Sequence, residues 1–261
     1  MKEIINVAKD AVKEAGELLL ERFGNIKEIE KKSDRNFATD VDKAAEKIII
    51  DKIKTVFPKH GILAEESGKH ITDNDYLWVI DPLDGTHNYM RNIEVFGVSI
   101  GILYKGAFVA GAIYMPVSDE LYLAEEKNGA YKNGERISVS TVKTLDMCTL
   151  SFDSSIRHGR TVMLNTLGDL ADKVFNVRMT GSSVRLLTYL AEGKFDAAVE
   201  FHDRPWDFAG AVTLIKEAGG RMVTLKGSPV TIDTIGYVAA NEFLTESILD
   251  IVKTNITKKN I

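Results

Sequence analysis

Two carboxylates and a hydroxyl stand within six residues at Asp81-Pro82-Leu83-Asp84-Gly85-Thr86. They follow an apolar run, Tyr76-Leu77-Trp78-Val79-Ile80, that reads as a strand. Pro82 fixes its own φ and stiffens the turn between the acids, and Gly85 lets backbone approach a ligand closely. The layout suits gripping divalent cations and a phosphate at a strand end. Mg2+ takes carboxylate, carbonyl and water oxygens, and more carboxylates stand in comparable places. Glu65 and Glu66 follow the short strand-like run Gly61-Ile62-Leu63-Ala64, and Asp207 lies in Trp206-Asp207-Phe208-Ala209-Gly210, where a helix should start.

Each acid also has an ordinary explanation. Asp84 can cap the short segment that starts at Gly85, Asp207 can cap its helix, and Glu65-Glu66 can be a solvated turn. Thr39 at an N-cap with Asp42 in the first turn is a normal helix start, and that alone would explain Asp42. For the others the ordinary readings weaken when taken together. Adjacent strand ends converge, and several unpaired carboxylates there repel one another without a cation.

The elements that must position these residues follow from periodicity. Ile4, Val7, Ala8, Ala11, Val12, Ala15, Leu18 and Leu19 predict a helix over residues 3–23, stopped by Gly24. Residues 31–38 are polar and irregular, which predicts a mobile loop. A second helix starts near Thr39 and turns Ala44, Ala45, Ile48, Ile49, Ile53 and Val56 inward as far as Pro58 and Gly61. After the strands at 61–64 and 76–80, residues 96–104 and 108–114 form a hairpin about Lys105-Gly106, and 121–124 add a strand. Asn128-Gly129 and Asn133-Gly134 mark tight turns. Strands in series predict a mainly antiparallel sheet with the early helices on one face. Beyond residue 140, strands at 149–152, 197–200 and 237–240 alternate with helices at 182–191, 208–218 and 242–252. Two portions result, 1–140 with most of the metal-ligating acids and 141–261 with substrate-binding residues and Asp207. No low-complexity linker separates them, so they should share an interface.

Composition narrows the function classes. The 261 residues allow one large domain or two small ones. With 38 acidic and 33 basic residues the net charge is -5, which gives no electrostatic case for a nucleic-acid partner. No apolar run is long enough to span a bilayer, and residues 1–10 lack a secretory apolar core; a cytoplasmic setting is the default expectation. The single cysteine, Cys148, can form no internal disulfide and no thiolate cluster. It has no histidine-rich context, so it reads as a buried inert thiol. The five histidines lack ligand spacing, and His87 reads as a supporting or exposed residue.

Gly61-Ile62-Leu63-Ala64-Glu65-Glu66-Ser67, Asp81-Pro82-Leu83-Asp84-Gly85-Thr86 and Trp206-Asp207-Phe208-Ala209-Gly210-Ala211 resemble the signature motifs of the inositol monophosphatase family, in order and in approximate spacing. Gly129-Ala130-Tyr131-Lys132-Asn133-Gly134 and Gly181-Ser182-Ser183 resemble further family segments, and the likeness runs over nearly the whole chain. The resemblance implies an α/β class fold, a layered α/β/α/β/α sandwich, and Mg2+-dependent hydrolysis of a phosphate monoester with two or three ions. Glu65 and Asp81 with the carbonyl of Leu83 resemble the first metal site, Asp81, Asp84 and Asp207 the second, and Glu65 with Glu66 a weaker third. Thr86 resembles the hydroxyl that orients and deprotonates the attacking water, and Asp42 matches the aspartate that bonds it. The amides of Gly85 and Thr86 would meet the phosphate at a helix N-terminus. The implied reaction is in-line attack of a metal-activated water, with charge on the departing and phosphoryl oxygens offset by cations and amides. A homodimer and lithium sensitivity come with the resemblance.

The same resemblance bears on the leaving group. Glu200 stands seven positions before Asp207, as does the family glutamate that contacts substrate hydroxyls. Asp84, the backbone near Ser183, and Glu200 would grip a polyol, with inositol-1-phosphate as the foremost substrate. Arg204, between Glu200 and Asp207, could receive a second phosphate, which keeps a fructose-1,6-bisphosphatase or a dual activity open. Arg178 and Arg185 are further candidates, with a helix-face salt bridge the plainer reading for Arg185. His87-Asn88-Tyr89 leans away from nucleotide bisphosphate phosphatases, and histidinol phosphatase stays open. The loop from Glu65 to Asp81 is shorter than in many members, and Asp34-Arg35-Asn36-Phe37-Ala38 departs from the usual approach to the threonine. A regulatory protein on the same fold, binding transcription machinery, is the rival; the intact set Asp81, Asp84, Thr86 and Asp207 argues against a purely binding role.

Overall fold

The acid-bearing strand ends are set by two sheets and the helices between them. A computed structural model of the chain describes residues 1–33, 36–70 and 74–258. Its helices are α1 Lys2–Arg22, α2 Asp40–Val56, α3 Thr86–Met90, α4 Arg160–Ala171, α5 Ser183–Ala191, α6 Pro205–Glu217 and α7 Thr245–Lys258. The larger sheet has eight strands, in the order 135–136, 129–132, 120–125, 107–115, 97–104, 76–84, 61–64, 68–70. Only the Gly61–Ala64 and Tyr76–Asp84 neighbours run parallel. The smaller sheet has five strands, in the order 176–178, 149–152, 197–200, 237–241, 220–224, and its Thr149–Phe152 strand is parallel to both neighbours.

The layers follow from which faces are apolar. α1 and α2 bury Val12, Leu19, Ile49 and Ile53 against Trp78, Ile80 and Ile100 of the larger sheet. α5 and α6 lie between the sheets, where Val184, Leu187, Phe208 and Ala211 meet Ile113, Tyr122, Ala198 and Tyr237. α4 and α7 cover the far face of the smaller sheet through Met163, Leu170, Ile248 and Val252. This is the expected α/β/α/β/α order. The core crosses residue 140, because α6 of the second portion rests on the first sheet. A Cβ added at Gly111 would lie 2.0 Å from the carbonyl oxygen of Gly210, and one at Gly101 2.5 Å from the Cβ of Ala209. Only glycine permits that approach.

Several expectations need correction. The stretch at 31–38 is not a loop throughout. Ile29–Ser33 and Asn36–Thr39 pair antiparallel, with Asp34 and Arg35 outside the described residues. Residues 29–32 are exposed, so no alternating apolar face announces that ribbon. α4 escapes a periodicity reading because only Val162, Met163, Thr166 and Leu170 are buried along it. α6 begins earlier than residue 208, with Pro205 at its first position, where a missing N–H costs nothing. α7 begins later than 242. The amides of Phe243 and Leu244 turn onto Asn241 Oδ1 at 3.0 and 3.1 Å before the helix forms.

Candidate active site

The motif strand Tyr76–Asp84 breaks its pairing between Asp81 and Asp84. Pro82 has no N–H to give the ladder, and the amide of Leu83 turns back onto Asp81 Oδ1 at 3.0 Å. Gly85 follows at φ +86° as the cap of α3, and a Cβ there would sit 2.8 Å from the carbonyl oxygen of Val95. α3 is only five residues long. A helix of that length carries little dipole, so an anion at its start would be met by individual N–H groups. Tyr89 anchors α3 by donating to the carbonyl of Leu19 at 2.7 Å, and Asn88 Nδ2 lies within hydrogen-bond reach of the carbonyls of Val95, Thr180 and Gly181.

Asp84 does not cap the segment at Gly85. It caps α5, on the other side of the cleft. The amides of Ser183 and Val184 donate to Oδ1 and Oδ2 at 3.0 and 3.2 Å, and the Ser182 hydroxyl donates to Oδ2. The first amides of a helix lack intrahelical partners, so a buried carboxylate brought there is held firmly. Asp42 does both things its position allows. Oδ2 accepts from the amide of Thr39 at 2.7 Å and from its hydroxyl, completing the capping box of α2, while Oδ1 lies 3.1 Å from the Thr86 hydroxyl. The same hydroxyl is 3.0 Å from the carbonyl oxygen of Leu83.

Glu65 and Glu66 follow their strand into a turn held by Glu46, whose carboxylate accepts the amides of Glu66 and Ser67 at 2.8 and 2.9 Å. Lys32 reaches across from the Ile29–Ser33 strand to Glu65 at 3.0 Å and Glu66 at 2.5 Å. Asp207 caps α6 as expected, accepting the amide of Arg204 at 2.6 Å. The Arg204 side chain is exposed, as is that of His87. Arg178 is exposed on its strand. Arg185 is a structural residue: it is buried, pairs with Glu120 at 2.7 Å and lies over the ring of Tyr189. Cys148 is fully buried, and burial pushes its thiol up.

Burial raises the Glu65 carboxyl to about 6, against the pull of Lys32. It raises Asp81 well above the ordinary value, with Glu65, Asp84 and Asp207 adding to the rise. Asp207 is raised by burial, then by Asp203 and Glu65. Asp84 stands at about 6, burial outweighing the donors of α5. Asp42 is also raised by burial. The structure thus brings Glu65, Asp81, Asp84 and Asp207 from three separate elements into one electrostatic neighbourhood. Every ligand atom offered is a hard oxygen, which fits Mg2+. Among the described residues no three such side chains stand as a finished cage; Lys32, the α5 amides and the Arg204 amide each occupy lone pairs.

Sequence reasoning missed four polar residues here: Lys32, Glu46, Asp153 and Asp203. Asp153 accepts the amides of Ser155 and Phe201 at 2.6 and 3.0 Å and pairs with His202 at 3.2 Å. Asp203 accepts from the Tyr237 hydroxyl at 2.9 Å and bonds the Ser183 side chain. With Asp84 and Glu200 they line a cavity of about 140 Å³. For Asp203 the available signal was the density of acids in Glu200-Phe201-His202-Asp203-Arg204-Pro205-Trp206-Asp207. Across the described residues no helix is long and apolar enough to cross a membrane.

A family model described as the inositol monophosphatase family matches residues 1–257. A fructose-1,6-bisphosphatase/inositol-1-monophosphatase of Aquifex aeolicus is 37% identical over 257 residues, covering 97% of this chain and 96% of that protein. The Nus factor SuhB of Escherichia coli is 37% identical over 254 residues, 95% of each chain. Among solved structures, the extragenic suppressor protein suhB of Bartonella henselae superposes with a TM-score of 0.92 at 31% identity, over 96% of this chain and 98% of that one.

Proposed function

The chain belongs to the inositol monophosphatase family, and from that premise we propose that it hydrolyses a phosphate monoester with Mg2+, inositol-1-phosphate being the foremost substrate. The observation that supports the reading is the gathering of Glu65, Asp81, Asp84 and Asp207 near enough that Glu65 adds to the rise at each of the other three, and Asp84 at Asp81 and Asp207. Those four, the carbonyl of Leu83 and, more weakly, Glu66 would hold the ions. When bound, Mg2+ supplies Lewis acidity that lowers the pKa of water and offsets charge on phosphoryl and leaving oxygens.

The remaining work belongs to the chain. Thr86 would accept a hydrogen bond from the attacking water while its own hydrogen goes to Asp42, 3.1 Å away. Asp42 is pinned by Thr39, so when the threonine hydrogen points to it rather than to the Leu83 carbonyl it would orient the hydroxyl and could draw the proton along that bond. The amides of Gly85 and Thr86 would face the phosphoryl oxygens. Glu200, Asp84 and the backbone at Ser183 would take the hydroxyls of the alcohol, and Asp207 would border it. The Aquifex relative's name also covers fructose-1,6-bisphosphate, for which Arg204 would be the group that meets a second phosphate. A homodimer in a cytoplasmic setting and lithium sensitivity complete the proposal, to be read by light scattering, fractionation and Li+ titration.

The test is a kcat/KM panel in Mg2+ over inositol-1-phosphate, fructose-1,6-bisphosphate, histidinol phosphate, glycerol-2-phosphate and an adenosine bisphosphate. The expected result is Mg2+-dependent turnover led by inositol-1-phosphate, lowered about 100-fold or more in Asp84→Asn. Turnover indifferent to that substitution removes Asp84 from the site. No turnover of any ester moves the reading toward a binding protein, a role akin to the name Nus factor carried by the E. coli relative.

A further inference from the structure

His158 and His202 stand far apart in the sequence, and the fold brings their rings together. His158 ends the short helical turn Ile156–His158, and His202 follows the strand Ala197–Glu200. Their ring centres lie 5.5 Å apart, with the planes tilted by 55°. Gly159 makes room for this approach: a Cβ there would sit 3.3 Å from His202 Cε1. His158 is exposed, and His202 keeps 34% of its side chain open to solvent, so a solute can reach both rings.

His202 is also oriented from behind. Its Nδ1 lies 3.2 Å from Asp153 Oδ2, and the Asp153 carboxylate is itself fixed by the amides of Phe201 and Ser155 at 3.0 and 2.6 Å. An ionised carboxylate only accepts, so in the neutral ring the hydrogen is on Nδ1 and the lone pair is on Nε2. A carboxylate behind one ring nitrogen fixes the ring and raises the basicity of the other, the arrangement that supports a metal-ligating histidine. Two imidazoles on one tetrahedral ion, each nitrogen about 2.1 Å from it, have ring centres roughly 5 Å apart. The observed spacing is close to that, and His158, exposed on its turn, can rotate a nitrogen toward the His202 lone pair at little cost. A phosphate is the poorer fit, because it would need both rings protonated and Asp153 would already offset one of the charges. Imidazole suits Zn2+, Cu2+ and Ni2+, whereas Mg2+ takes hard oxygens.

We infer that His158 and His202 form a transition-metal site, with Zn2+ as the foremost occupant, chemically distinct from the oxygen ligands gathered around Asp81. Nε2 of His202 and one ring nitrogen of His158 are the protein ligands, and water completes the shell. Among the described residues no third histidine, cysteine or carboxylate joins them as a ligand. Asp153 is a positioning residue, holding the His202 ring without touching the ion. The inference stands independently of the phosphatase reading.

The experiment titrates the full chain with Zn2+ by calorimetry at neutral pH in excess Mg2+, which competes for the acids of the cleft. The expected result is a Zn2+ binding event that Mg2+ does not abolish, weakened at least about tenfold in His158→Ala and in His202→Ala. A second measurement identifies the donor atoms. Substoichiometric Cu2+ in the same Mg2+ should give an electron paramagnetic resonance spectrum split by imidazole nitrogen, which an all-oxygen site cannot produce, and each substitution should reduce or remove that splitting. The absence of a Zn2+ event in excess Mg2+ overturns the inference, as does an affinity unchanged in either variant. A nitrogen splitting that survives both substitutions unchanged also overturns it, since it assigns the metal to His60, His70 or His87. His158 is exposed, so its variant should keep the parent's dichroism; should His202→Ala not fold, His158→Ala decides.

Discussion

Thr86 has one hydroxyl hydrogen and two acceptors in reach, Asp42 Oδ1 at 3.1 Å and the carbonyl of Leu83 at 3.0 Å. It can satisfy only one at a time, and the choice decides whether its oxygen is aimed by Asp42. Removing the hydroxyl leaves Asp42 without that contact yet still held by Thr39. Thr86→Ala should therefore lower kcat about 100-fold or more with little change in KM for the phosphate ester or in melting temperature. Steady-state kinetics alongside a thermal melt check this, and a kcat within a few-fold of the parent would remove Thr86 from the proton path. The residues of the 81–86 motif were legible in the sequence because acids, proline, glycine and hydroxyl crowd into six positions. Asp42 as the partner of Thr86 came with the family resemblance; the far ends of the other bonds were not legible. Asp84 meets α5 about a hundred residues on, and Lys32 and Glu46 are single charges in polar surroundings with no periodicity to mark them.

α6 shows how an element, rather than a side chain, places a ligand. Asp207 rides on its first turn, and the helix is seated on the larger sheet where Gly111 faces the carbonyl of Gly210 and Gly101 faces Ala209. A methyl at Gly111 meets backbone, which cannot rotate away, so the helix must shift. Gly111→Ala should destabilise the protein by about 1–3 kcal/mol or more. It should also raise the Mg2+ concentration needed for half-maximal activity, because Asp207 moves with α6. Denaturant melts and a Mg2+ titration of activity read the two effects; a stable variant with the parent's Mg2+ requirement would show that α6 seating does not set Asp207. The helix α6 was legible from its apolar run, and Pro205 explains its earlier start. Its contact with a sheet formed by residues before 140 was not, since glycine in a strand reads equally as a bulge or a weak point. The Ile29–Ser33 and Asn36–Thr39 pair was missed for the opposite reason: residues 29–32 are exposed, and the buried Ala38 and Thr39 are adjacent rather than alternating.

For the molecule as a whole, the gathered acids make stability depend on pH and cation together. Glu65 and Asp84 titrate near 6 in the folded chain and Asp203 near 7, against ordinary values of 4.5 and 3.8. Asp81, Asp207 and Glu200 are raised further in the same direction. A raised carboxyl means that the native state holds protons the unfolded chain has already released. Stability then falls as pH rises through the folded values. Acids held low by partners, Glu120 at about 2 among them, gain their stabilisation as pH rises from the folded value through the ordinary 4.5 and keep it unchanged above that, so they add no slope in this window. His60, lowered by burial, works the other way, as one group against several. With Mg2+ chelated, the melting temperature should decline from pH 5 to pH 8. Added Mg2+ requires the ionised carboxylates, so its stabilisation should grow over the same range, reaching about 2.7 kcal/mol at a hundredfold excess over Kd. Scanning calorimetry at four pH values, with chelator and with Mg2+, measures both trends. A chelated protein that grows more stable toward pH 8, or a Mg2+ shift as large at pH 5 as at pH 8, would mean that these acids do not share the charge of a common cation.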